Sequence, residues 1–273
     1  MRKLLNHLMS GYGALFFIFL YAPVLLVVIY SFNSNPVNVM IWKEFSFDWY
    51  INLFGGDTGL SDSTAYVEST DQLLAALKVS LTVAAFATLV STVLGTSVAV
   101  AIARYRFKLQ GFYRLLLMVP MVMPDIVLGI ALLIFFIGVG MNLGVTSIVI
   151  GHCTFLTSYV FIVVSARLAG MNPMIESASA DLGASEWQTF RRVTLPLILP
   201  GVIGGALLSF IISMDDLVIT YFISGVDATT LPVFIMSMIR RGIKPEINAI
   251  ATMMLMASVL IASAGIYFKS RKA

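Results

Sequence analysis

Predominantly apolar runs dominate the pattern of this chain, at about 11–32, 73–103, 112–137, 143–168, 197–223 and 247–268, with short polar stretches between them. A helix needs about 20 apolar residues to cross a hydrocarbon core about 30 Å thick, so the pattern predicts six membrane-spanning helices. The second run exceeds that length and predicts a span that tilts or projects beyond the bilayer. Two polar segments stand out, an outer loop at 33–72 and a helical loop at 169–196. The whole of 1–273 reads as one all-α transmembrane domain.

Composition agrees. Hydrophobic residues make up 59% of the chain and charged residues 11%, with a mean hydropathy of +0.95. A soluble domain carries roughly 25% charged residues, so this is an integral membrane protein. Arg2 and Lys3 precede the first run, but no small-residue cleavage site follows it. The run is therefore expected to stay as a helix. Cys153 is the single cysteine, which excludes an intramolecular disulfide framework.

Six spans put both termini on one side, and the basic residues choose it. Twelve Lys and Arg lie at the N-terminus, in "RYRFKLQGFYR", in 167–196 and in the tail "KSRKA". Only Lys43, Arg240, Arg241 and Lys244 lie opposite. The richer side is cytoplasmic, and both termini with it. Lys78 falls near the outer end of the second span, where it can snorkel. The outer loop carries Glu44, Asp48, Asp57, Asp62, Glu68 and Asp71 against Lys43, together with the aromatic run "WKEFSFDWY". It reads either as a solvated loop with interfacial aromatics, or as a cation-attracting mouth where Trp42 or Trp49 makes cation–π contact.

The segment "NPMIESASADLGASEWQTFRRVTLPLILPG" (172–201) is punctuated as two short helices. Asn172 can cap the first with Pro173 at its first position, and Gly183 suits its stop. Ser185 and Gln188 form a capping box for the second, which is expected to finish with Arg191 and Arg192 in its last turn. Ile175, Ala178 and Leu182 share a face of the first, and Trp187, Phe190 and Val193 a face of the second. Residues 171–196 hold three acids and two bases. Membrane-surface helices are usually basic, so docking to another protein is the better reading.

"ADLGAS" followed by "LPLILPG" resembles the cytoplasmic EAA loop of bacterial ABC-importer permeases, which docks into a groove of the ATPase subunit. That family usually has Glu-Ala-Ala with Gly six residues after the Glu; here Gly183 fits while the Glu position is Ser177, followed by Ala178 and Ser179. Glu176 lies one residue early. The resemblance extends over "YAPVLLVVIYSFN" (21–33), "RYRF" (104–107), "PDIVLGIALL" (124–133), "SMDDLVITYFISG" (213–225) and "TLPVFIMSMIRRGIKPEINAIAT" (230–252). These are similar to a permease subunit of spermidine/putrescine importers. The resemblance implies the MetI-like permease fold in a bacterial inner membrane, with the outer loop periplasmic. It also implies docking residues at Glu176, Ser177, Ala178, Asp181, Gly183 and Ala184. The implied partners are a second homologous permease, an ATPase dimer using ATP and Mg, a periplasmic polyamine-binding protein and membrane lipid. Nucleic acid is not among them.

Asp125, Asp215 and Asp216 interrupt the apolar runs, where ionised carboxylates are costly. Asp125 lies 13 residues beyond Phe112 and Asp215 lies 14 beyond Gly201. At about 1.5 Å per residue both sit some 20 Å from the cytoplasmic side, in one layer. Adjacent helical residues point about 100° apart, so one of Asp215 and Asp216 can face a pathway while the other meets a neighbouring helix. Ser213 is close by on the same helix. Asp125, Ser213, Asp215, Asp216 and Trp49 are the candidate substrate-path residues. Structural readings stand beside this one. Asp125 follows Pro120 and Pro124 and can satisfy donors freed at a broken helix. Asp215 or Asp216 can pair with Lys78 or be neutralised by burial. His152 sits beside Cys153; with His7 the only other histidine, a packed or hydrogen-bonded role is expected rather than a metal site. Gly140/Gly144 and Gly201/Gly205 have packing-motif spacing.

The chain has no G-x-x-x-x-G-K-[ST] loop and no H-E-x-x-H, so neither P-loop hydrolysis nor that zinc chemistry resides in it. The leading expectation is a non-catalytic importer permease for a polyamine. Two others remain: a cation-coupled secondary transporter, for which no internal repeat is seen, and an intramembrane aspartyl protease, whose Gly-x-Gly-Asp signature is missing.

Overall fold

In the computed structural model the described residues are 2–35, 41–54, 56, 58, 64–172, 174–226, 228–239 and 246–270. Their regular structure is helical: α1 (Arg2–Tyr30), α2 (Asp48–Leu53), α3 (Thr64–Arg104), α4 (Gln110–Val122), α5 (Asp125–Gly138), α6 (Val145–Ala169), α7 (Met174–Asp181), α8 (Glu186–Thr189), α9 (Leu195–Asp215), α10 (Val218–Ile223), α11 (Leu231–Ile239) and α12 (Glu246–Ser270). Asp57, Asp62, Pro173, Arg240, Arg241 and Lys244, used above, lie outside the described residues.

Among the described residues, four unbroken stretches are long and apolar enough to cross a membrane: His7–Tyr30, Asp71–Arg104, Val145–Ala169 and Glu186–Asp215. Two expected spans are altered. The third is not continuous, because α4 and α5 meet at a 105° bend. The fifth ends at Asp215, and α10 is a separate short helix. Helix α12 runs for 25 residues, Glu246–Ser270, the length that a crossing needs. At 41 residues, α3 is about 60 Å long and outreaches the bilayer core, as its length predicts.

The chain divides into two compact units, residues 1–74 with 235–273, and residues 75–234. In the first, α12 packs on α1 and α2. The aromatic run folds onto the end of α1: Phe45 bridges Asn33, and Phe32 stacks on Phe45 at 5.2 Å. Trp49 is fully buried there and its indole N–H donates to the Asn33 carbonyl at 2.8 Å. Enclosure of its ring fits a structural role rather than an open mouth; Trp42 is the exposed tryptophan of the run, at 45%.

The second unit is organised around α6, apolar on all sides and correspondingly buried. One core joins Val83 and Ala87 of α3, Leu132 and Phe136 of α5, Leu156 of α6 and Ile219 of α10. A second core joins Ala99 and Ile102 of α3, Val160 and Val164 of α6 and Ile198 of α9. Gly201 and Gly205 let α9 approach α6: an added Cβ would lie 2.8 Å from the Arg167 Cβ and 3.4 Å from Val160. That glycine pair is a packing motif. Gly140 and Gly144 are not, since a Cβ at either meets nothing within 4 Å.

Candidate functional site

Two helix breaks in the second unit place the three aspartates. The first follows from local sequence. Proline disfavours helical conformation at the preceding residue, and Met123 before Pro124 is extended, with ψ 141°. Helix α4 stops at Val122, and Asp125 opens α5, where an acid complements the helix dipole.

The second break contains neither proline nor glycine. Asp216 is extended at ψ 118°, ending α9. Its carboxylate Oδ2 accepts from the Thr220 backbone N–H at 2.8 Å and the Thr220 hydroxyl at 2.6 Å. His152 of α6 is fully buried beside it. Its Nε2 lies 2.9 Å from Thr220 Oγ1 and 3.3 Å from Asp216 Oδ2, and its Nδ1 lies 2.8 Å from Ser213 Oγ. Asp216 thus satisfies the start of α10, while Asp215 stays exposed at the end of α9. An acid there adds to the negative end of the helix dipole, an arrangement that favours a cation.

Asp125, Asp215 and Asp216 line one cavity of ≈ 280 Å³, with Pro120, Tyr159 and Ile212 among its walls. Asp125 and Asp215 are exposed, whereas the Asp216 side chain is only 9% exposed. Ser213 is buried and bonded to His152 instead of lining the cavity. Asp216 pairs with His152, not with Lys78. Asp215 and Asp216 therefore diverge as expected, but at a helix end and not within a continuous span.

The 172–201 segment follows its punctuation closely. Asn172 Oδ1 accepts from the Met174 N–H at 3.0 Å, capping α7. Gly183 has φ +84°, the left-handed geometry that L side chains resist, and its N–H bonds Ala180 O at 2.8 Å. Ser185 and Gln188 form the capping box at 3.3 and 3.0 Å. One expectation fails: α8 does not end at the arginines. It passes through a π-turn at Phe190–Thr194 directly into α9. Pro196 has no N–H to bond four residues back, so the wider turn ahead of it is the low-cost solution.

Glu176 faces inward, bonding Arg104 Nη2 at 2.5 Å and the Thr194 hydroxyl. It ties α7 to the end of α3 and to the π-turn. Tyr105 donates to Glu186 at 3.0 Å, and the Glu186 carboxylate raises the phenol above its ordinary value. Outward the loop presents three large apolar side chains: Met174 is 73% exposed, Leu182 89% and Trp187 66%. Ser177, Ala178, Asp181 and Gly183 are exposed beside them, and Ala184 is half-buried.

Arg104, Tyr105, Thr194, Thr220 and the bracing role of His152 were not singled out from sequence. Asp216 followed four residues later by Thr220 is a weak capping signal. Only folding shows that His152 meets both.

A carboxylate-lined cavity between broken apolar helices, with a polar loop feeding directly into a span, fits a membrane transport subunit. A bacterial ABC transporter that imports the acidic polysaccharide alginate shares the fold, with a TM-score of 0.70 at 17% identity over 100% of this chain and 96% of that one. Residues 91–269 match the family described as "Binding-protein-dependent transport system inner membrane component", and the chain belongs to that family. It is 40% identical over 262 residues to the putrescine transport system permease protein PotI of Escherichia coli K12, covering 93% of this chain and 88% of the relative. It is 39% identical over 243 residues to the spermidine/putrescine transport system permease protein PotC of Haemophilus influenzae, covering 89% of each. The chain is a multi-pass inner-membrane permease and not an enzyme, which removes the protease and secondary-transporter readings.

Proposed function

We propose that this chain forms, with a second homologous permease, the path by which a polyamine such as putrescine or spermidine crosses the inner membrane. A periplasmic polyamine-binding protein delivers the substrate, and an ATPase dimer using ATP and Mg drives the cycle from the cytoplasm, where both termini lie. The observation that carries the substrate class is the convergence of Asp125, Asp215 and Asp216 on one cavity at two helix breaks. A polyamine is a flexible chain of ammonium groups, and it leaves water only where fixed anions replace its hydration. The names of the two relatives support the same class. The exposed apolar surface of Met174, Leu182 and Trp187, held by Gly183 and the internal bonds of Glu176, supports a docking role for 174–189.

Uptake of labelled putrescine into cells carrying the complete transporter tests the path. Asp125→Asn and Asp215→Asn are each expected to raise the half-saturating concentration about 10- to 100-fold, as loss of a charged contact implies, with complex yield unchanged. Wild-type uptake by both variants would end the polyamine reading of the cavity.

A further inference from the structure

The three carboxylates are not equivalent, and the residue that separates them is a histidine 64 positions away from Asp216 in the chain. Proton counting fixes much of the network. The Thr220 hydroxyl has one hydrogen, directed at Asp216 Oδ2 over 2.6 Å. His152 Nε2, 2.9 Å from the same hydroxyl oxygen, must therefore be the donor in that contact. A neutral ring then accepts at Nδ1 from the Ser213 hydroxyl. His152 consequently grips both sides of the break: Ser213 on α9, Asp216 at the break itself, and Thr220 on α10. Buried polar groups in apolar surroundings are held firmly when every member has a partner.

We propose that His152 is a positioning residue for translocation. It holds Asp216 as a strut that fixes the break between α9 and α10, so that Asp125 and Asp215 alone receive the ammonium groups of the substrate. This assignment rests on the polyamine reading only for the identity of the cation. It predicts two kinds of carboxylate in one cavity. Asp125 and Asp215 set apparent affinity. Asp216 acts through geometry, in series with His152.

The test is a pair of double-mutant cycles in the assembled transporter, read as putrescine uptake and as thermal midpoint of the purified complex. Loss of a buried bond to a charged group corresponds to about a tenfold effect or more. His152→Leu and Asp216→Asn should each lower maximal uptake by about that factor, and the double variant should be no worse than the poorer single one. His152→Leu combined with Asp125→Asn should instead multiply, with only the latter component appearing in half-saturation. His152→Gln, which retains a donor near the Nε2 position, should recover much of the loss. Independent, multiplying effects of His152→Leu and Asp216→Asn would overturn the proposal. So would a His152→Gln complex that fails to assemble, since the residue would then be a folding element. If the wild-type complex takes up no putrescine, the substrate reading fails by itself, and coupling in the thermal midpoint still decides the role of His152.

Discussion

The two helix breaks of residues 75–234 reach similar outcomes by different physics. Between α4 and α5 the chain bends by 105° where Pro124 disfavours a helical Met123, and the residue after the proline, Asp125, is delivered to the cavity. Between α9 and α10 no residue forbids the helix. There the extended conformation of Asp216 is stabilised by the two bonds it accepts from Thr220 four residues on and by the close contact of His152 from another helix. A locally encoded break should depend on one residue and survive changes in its surroundings. A break encoded by tertiary contacts should weaken gradually as its partners are removed.

The largest expected effect is at the first break. Pro124→Ala frees Met123 to continue the helix, so α4 and α5 should merge. Spin labels at Leu115 and Phe135 should then move from about 19 Å apart to about 30 Å, from helical rise and the observed bend, and uptake should be lost. An unchanged distance would mean that packing, not proline, makes this bend. At the second break, Thr220→Val removes one hydroxyl while leaving the Thr220 N–H and the His152 contact to Asp216. A fall of about 1–2 kcal/mol in stability is expected, read as thermal midpoint, with the break retained. A loss of all uptake here would make the second break as brittle as the first.

The cytoplasmic loop supplies a third, wholly local comparison. Gly183→Val should cost about 1–2 kcal/mol by forcing a β-branched residue into left-handed geometry. Its consequence should be confined to ATPase association, measured by copurification, with membrane insertion intact. Gly183→Asn should be nearly silent. The smallest effect is expected at Tyr105. Its folded-state pKa is raised by Glu186, so the bond favours the neutral phenol. That contribution is present below the ordinary tyrosine value and disappears as pH climbs through the raised one. Tyr105→Phe should therefore leave Trp187 fluorescence independent of that alkaline transition, while differing little from wild type at neutral pH.

Much of this was legible in the residues. Apolar run length gave the membrane class, and Asn172, Gly183, Ser185 and Gln188 gave the loop its two-helix frame, because caps and left-handed stops depend on neighbours only a few positions apart. Pro124 marked a broken helix for the same reason, whereas Pro120 lies inside α4. Helical rise predicted one layer for Asp125 and Asp215, whereas the cavity that they line together is a product of helix packing. Tertiary structure alone decided the rest. The pattern 197–223 is apolar enough for a continuous span, yet the helix ends at Asp215, since the partner that stabilises the interruption arrives from α6. Glu176 turns inward because Arg104 and Thr194 are brought to it by packing, and Trp49 is buried with its indole N–H on the Asn33 carbonyl. Interactions within a turn are fixed by sequence spacing, whereas contacts between helices depend on which faces the apolar cores bring together.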